Sequence, residues 1–168
     1  MLARGFSLVE AMVAMVIVGV MVAAAMQTVG SARLGQFRTS LASTGAMLAQ
    51  QLMTEILEQA YEDPDGTPVF GPEAGEVVGS SRSKFDDVDD YNGYSCTPPR
   101  TRDGTARDDL ANWRCSVVVD YVKTTDINAT IGSNSGIKRI TVALYYRNAR
   151  IAQQAAIRTA AWPSAVER

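Results

Sequence analysis

The chain carries two patterns of apolar and polar positions. From Ala11 to Met26 every residue is apolar or glycine, and Phe6, Leu8 and Val9 extend the run on its N-terminal side. About 20 such residues are what a helix needs to cross a bilayer. Beyond Met26 the pattern opens. Leu34, Phe37, Leu41, Leu48, Leu52 and Ile56 recur at helical spacings and form one face, while Arg38, Ser40, Ser43, Gln50 and Glu58 take the other. Asp63-Pro64-Asp65-Gly66 supplies breakers and turn residues, so the helix is predicted to end near Gln59 or Ala60. A helix from Phe6 to Ala60 would be about 80 Å long at ~1.5 Å per residue. Gly19, Gly30, Gly35 and Gly45 each weaken it by about 1 kcal/mol relative to alanine, and mark bending points or places of close approach.

The second pattern is alternation. Ser116–Lys123 places Val117, Val119 and Tyr121 on one face, and Ile137–Arg147 places Ile140, Val142, Leu144 and Tyr146 on one face. Arg150–Thr159, with Ile151, Ala155 and Ile157, offers a weaker third strand, and a hairpin at 147–150, with Asn148-Ala149 between the strands, joins it to the second. The stretch from Tyr61 to about Lys84 reads as loop, with at most a short strand at Glu76-Val77-Val78, and Thr124–Gly136 reads as a long loop. The predicted fold class is α+β: a long N-terminal helix, membrane-spanning in its first half, packed in its second half against a small antiparallel sheet. The predicted divisions are a leader over 1–5, the helix over 6–60 with its membrane span over 6–26, and a globular extracytoplasmic head over 61–168.

The first ten residues, MLARGFSLVE, carry the most specific signal. An ordinary secretory signal puts its cleavage site after the apolar core. Here the small residue, Gly5, precedes that core, so cutting there leaves the core on the mature chain. Arg4 favours keeping this end in the cytoplasm. Glu10 sits at the mouth of a spanning helix, where an ionisable group needs a partner and marks function. The alternative is a plain signal anchor with Glu10 near the interface.

The signature GFSLVE resembles that of the type IV pilin and pseudopilin family. The resemblance implies cleavage between Gly5 and Phe6 by a membrane-embedded prepilin peptidase, N-methylation of Phe6, and pairing of Glu10 with the N-terminal amine of a neighbouring subunit. It covers about the first 25 residues closely. It implies an inner-membrane protein, N-terminus cytoplasmic, that an inner-membrane assembly platform moves into a pilus or pseudopilus filament with energy from a separate cytoplasmic motor. Many relatives have a proline in the first half of this helix, whereas this chain has none before Pro64.

Composition narrows the chemistry. Among 168 residues there is no histidine, which removes the usual general base and the commonest metal ligand. The formal charge of -2 predicts no general attraction to nucleic acid. No nucleophile–base pair stands at a recognised spacing, so an enzyme is poorly supported. Cys96 and Cys115 are the only cysteines. Outside the cytoplasm they are expected to form a disulfide worth about 3 kcal/mol on the chain-entropy model, the alternatives being free thiols or a redox or metal role.

Asp86, Asp87, Asp89 and Asp90 crowd into five residues. Either they collect a calcium ion, without the spacing of an EF-hand loop, or they form a turn in which the carboxylates accept backbone N–H groups while Phe85, Val88 and Tyr91 pack inward. This stretch resembles segments of minor pilin-like proteins of the mannose-sensitive haemagglutinin type. Arg100, Arg102, Arg107 and Arg114, with Trp113 and Tyr94, could contact a nucleic-acid backbone, yet Asp103, Asp108 and Asp109 interleave with them and favour a self-paired loop. Two function classes remain: a structural subunit, minor pilin or pseudopilin, and a filament-borne binding module whose head recognises DNA, a surface or a secreted substrate.

Overall fold

The computed structural model describes residues 7–64, 69–77 and 80–161. Two compact units divide after Ser40. One helix, α1, runs over Leu8–Leu57, two residues short of the predicted end at Gln59. It is built mostly from Ala, Leu, Met and Val. Thr28 and Thr39, whose hydroxyls would otherwise need water, donate to the carbonyls of Ala24 and Gly35 at 2.9 and 3.0 Å. Residues 8–40 of the first unit are exposed throughout, Leu34 and Phe37 included.

In the second unit, α1 from Leu41 onward buries Gly45, Leu48, Ala49, Leu52, Met53 and Ile56 in the core. The predicted face is right from Leu48 to Ile56. Gly45 is the close-approach site among the four helix glycines. A Cβ there would lie 3.0 Å from Ile151 Cγ2, 3.2 Å from the Trp113 ring and 3.3 Å from Ala152 Cβ, whereas one at Gly19, Gly30 or Gly35 would meet nothing within 4 Å.

The sheet contains β1 (Ser95–Cys96), β2 (Trp113–Lys123), β3 (Asp126–Thr130), β4 (Ile137–Tyr146) and β5 (Ala149–Thr159). Its order is β1-β2-β4-β5, with β3 pairing to β2 off that path, and every pairing is antiparallel. Cys115 opposite Leu144, Val117 opposite Val142, and Val119 opposite Ile140 form the buried cross-strand pairs. This is the α+β architecture expected, a long apolar helix packed against an antiparallel sheet in the pilin-like manner.

Three local expectations are corrected. The hairpin turn is Arg147-Asn148, one residue earlier than predicted, with φ of 48° and 67°. Two positive φ values are the type I′ geometry that matches strand twist, and asparagine tolerates it. The loop expected over Thr124–Gly136 contains β3. All its residues but Ala129 are exposed, so no apolar alternation announces it. No strand forms at Glu76-Val77, because Ala74–Glu76 is a turn; Val78 lies outside the described residues.

Strand β5 also differs in which face it buries. Tyr145 pairs with Arg150 but Leu144 pairs with Ala152, so Ile151 is the extra residue of a bulge. Beyond it Ala152, Gln154, Ala156 and Arg158 share the face of Leu144, Val142, Ile140 and Lys138, while Ala155 and Ile157 are exposed.

Candidate functional site

Two regions carry the candidate chemistry. The first is the N-terminal part of α1. Gly5 and Phe6 lie outside the described residues. Glu10 stands in the first helical turn, where a carboxylate complements the positive end of the helix dipole. Leu8, Val9 and Met12 around it are 78 %, 67 % and 60 % exposed. No further charge occurs until Arg33. The 22 residues between span about 33 Å as a helix, close to the hydrocarbon thickness of a bilayer. Mean hydropathy reaches 2.5 over an 18-residue window, none of it buried. A core helix of a soluble domain hides such a surface; this one requires lipid or other chains to cover it.

The second region is the loop platform laid over the end of α1. Glu55, on the helix, is its hub. Arg82 donates in a fork to both oxygens, from Nε at 2.8 Å and Nη2 at 2.9 Å, and the Tyr91 hydroxyl donates to Oε1 at 3.0 Å. Arg82 also donates to the Tyr94 hydroxyl. Burial opposes the Arg82 charge, but Glu55 outweighs it and the guanidinium pKa rises. Burial, with Glu55 beside it, pushes the Tyr91 hydroxyl well above its usual range. A forked ion pair of this kind supplies geometry as well as energy.

Lys138 enters from β4 and is fully buried. Its Nζ donates to Asp89 Oδ1 and to the Tyr61 carbonyl, and lies 4.3 Å from the Tyr61 ring centroid. Arg158, on the paired strand, donates from Nη2 to the Gln59 carbonyl at 3.1 Å, and burial lowers its pKa. Polar partners thus tie the end of α1 and the loop after it to the sheet.

The four aspartates fold into a turn. Asp87 Oδ1 accepts the N–H groups of Asp89 and Asp90 at 2.7 and 3.1 Å, and Asp90 Oδ2 accepts those of Asp86 and Asp87 at 2.9 and 3.2 Å. Phe85, Val88 and Tyr91 are buried beneath them. Burial and the charges of Asp89 and Asp90 push the Asp87 carboxyl up to about 8. Asp89 faces Lys138, and its Oδ2 accepts the Gly71 N–H at 3.0 Å. Among the described residues, Asp90 alone of the four joins a group of converging carboxylates, and its companions are Glu73 and Glu76. Sequence alone does not join either glutamate to Asp90, since 14 to 17 positions separate them from it. The one available signal was the turn sequence Glu73-Ala74-Gly75-Glu76.

Cys96 and Cys115 are register partners on β1 and β2 and form a disulfide, with Cα atoms 5.2 Å apart. The arginines of the loop it closes are engaged within the chain. Arg100 donates to the Gly104 carbonyl at 2.8 Å, Arg102 to the Phe85 carbonyl at 3.1 Å, Arg107 to Asp109 at 3.1 Å, and Arg114 stacks 3.9 Å over the Tyr145 ring. These contacts hold the arginines within the loop, and Asp109 pairs the charge of Arg107.

Residues 1–26 match the model of the prokaryotic N-terminal methylation motif. The motif is typical of type IV pilins and pseudopilins, and the proteins that carry it are typically structural. No curated protein and no solved structure matches the chain. The chain thus carries the methylation motif over residues 1–26 and a pilin-like fold.

Proposed function

We propose that this chain is a structural subunit, a minor pilin or pseudopilin, that assembles into a filament after removal of residues 1–5. The observation that carries the reading is the exposed, charge-free helical surface beginning directly after Glu10, inside the matched methylation motif. The irregular loops of the head favour a minor over a major subunit.

Processing follows from that placement. Prepilin peptidase cuts between Gly5 and Phe6 and methylates the new amine of Phe6, while the apolar helix stays on the mature chain as its inner-membrane anchor, N-terminus toward the cytoplasm. In the bilayer, Glu10 and the new amine are charges that lipid solvates poorly. Pairing them between neighbouring subunits relieves both and fixes an axial register, while the apolar helices bury one another. Inside such a bundle, a charge stripped of its partner costs several kcal/mol. The inner-membrane assembly platform and the other pilin subunits are therefore the partners.

Mass spectrometry of the chain purified from its native membrane tests the processing step. The expected N-terminal peptide begins at Phe6 and carries one added methyl group. A peptide beginning at Met1, or at Phe6 without the methyl, would contradict the reading.

A further inference from the structure

We propose that Glu73, Glu76 and Asp90 form a calcium site that ties the 69–77 loop to the aspartate turn. Their ligand oxygens all lie within 4.8 Å of one another. The turn that builds the site is legible step by step. The Glu76 N–H donates to the Glu73 carbonyl at 3.3 Å, closing Glu73–Glu76, with Gly75 at φ 102°. That positive φ in the third position is a type II geometry that glycine supplies without strain. The turn is then reinforced by the Glu73 N–H donating to Glu76 Oε2 at 2.8 Å.

Carboxylates gathered in a turn can satisfy themselves with backbone donors, as Asp87 Oδ1 does. Here Asp90 Oδ2 and Glu76 Oε2 have such donors, but Asp90 Oδ1 and both oxygens of Glu73 do not. Asp90 is 1 % exposed, and its Oδ1 is buried without a hydrogen-bond partner. Both carboxylate oxygens of Glu73 are likewise buried without a donor. Among the described residues none of the ion pairs involves these three groups. A buried carboxylate oxygen with no donor costs free energy comparable to a lost charge-assisted hydrogen bond, and like charges at this spacing add to it. The same crowding appears as a rise in the pKa of all three groups, burial being the largest cause for each.

A divalent cation removes all of these costs together. The donor set is oxygen only, which selects a hard ion. Ca²⁺ binds oxygen at about 2.3–2.6 Å, so ligands on opposite sides stand up to about 5 Å apart; Mg²⁺, at about 2.0–2.1 Å, requires a tighter octahedron. Glu73 and Glu76 are half-buried, so water can complete the larger shell. The inferred site shares only Asp90 with the aspartate run, because Asp87 is bonded to backbone N–H groups and Asp89 to Lys138 and Gly71. Its effect is local: the loop is otherwise held to the head by the Gly71 to Asp89 bond and by Phe70 on the Tyr121 ring, 4.8 Å between centroids.

The test uses the full chain in detergent micelles. Near-ultraviolet circular dichroism follows the melting of the head in EDTA and in about 10 mM calcium chloride, well above the affinity range of extracellular calcium modules. The expected rise is about 5–10 °C, with one calcium per chain by equilibrium dialysis. In E73Q/E76Q both responses are lost, while the melting point in EDTA stays at or above that of the wild type because two like charges are gone. Wild-type protein that binds no calcium in dialysis overturns the site however the variant folds. So does a variant that keeps the calcium response, and an equal response to magnesium overturns the choice of ion.

Discussion

Lys138 holds its ammonium where water does not reach, and Asp89 and the Tyr61 carbonyl replace that water. A buried pair of this kind is costly to break from one side, because the partner left behind stays charged and buried. K138M is expected to lower the unfolding free energy of the chain by about 3–5 kcal/mol, and adding D89N to recover a large part of that loss. Chemical denaturation of the two variants checks this; a K138M chain as stable as the wild type would show that the pair does not bear on stability. By strand alternation Lys138 shares the face of Ile140 and Val142, so its inward position was readable. Its partners were not. They stand 49 and 77 positions away, across loops whose path is set by packing rather than by any local pattern. The same holds for Glu73 and Glu76, which lie in a segment rich in turn residues and meet Asp90 only after the chain has folded back.

Elements built on a single repeating pattern were the legible ones. The helix face from Leu48 to Ile56 and the inner faces of β4 and of β2 as far as Val119 follow from apolar periodicity; beyond Val119 the alternation of β2 slips, Tyr121 being half-buried and Val122 fully buried. Strand β5 departs from its pattern because the Ile151 bulge shifts its alternation, and its inner face carries Gln154 and Arg158 where an apolar stripe would be sought. Strand β3 pairs with the C-terminal end of β2 while its own side chains stay largely exposed, which leaves no trace in hydropathy. Where α1 meets the sheet, Gly45 sets the spacing. G45L is expected to destabilise the head by about 2–3 kcal/mol through overpacking against Trp113, Ile151 and Ala152. G35A, where a Cβ meets nothing within 4 Å, is expected to add about 1 kcal/mol through helix propensity. Thermal melting in micelles separates the two, and a G45L chain that melts with the wild type would show that the helix can stand further off the sheet.

At the scale of the whole molecule, the proposed entry into a membrane rests on a linear signal, Arg4, Gly5, Phe6, Glu10 and the apolar run that follows. These sit in consecutive sequence because the features that identify them, a charge, a small residue and an apolar length, need no tertiary structure. What the head adds was far less legible, since its polar network joins α1, the loops and the sheet through contacts between distant positions. Glu10 is proposed to act in assembly rather than in anchoring. The decisive measurement is the distribution of an E10A chain between the membrane and sheared-filament fractions of cells that lack the wild-type copy. The expected result is normal abundance in the membrane, with Phe6 still exposed by cleavage, and loss from the filament fraction. E10A in filaments at the wild-type level would show that Glu10 has no part in assembly.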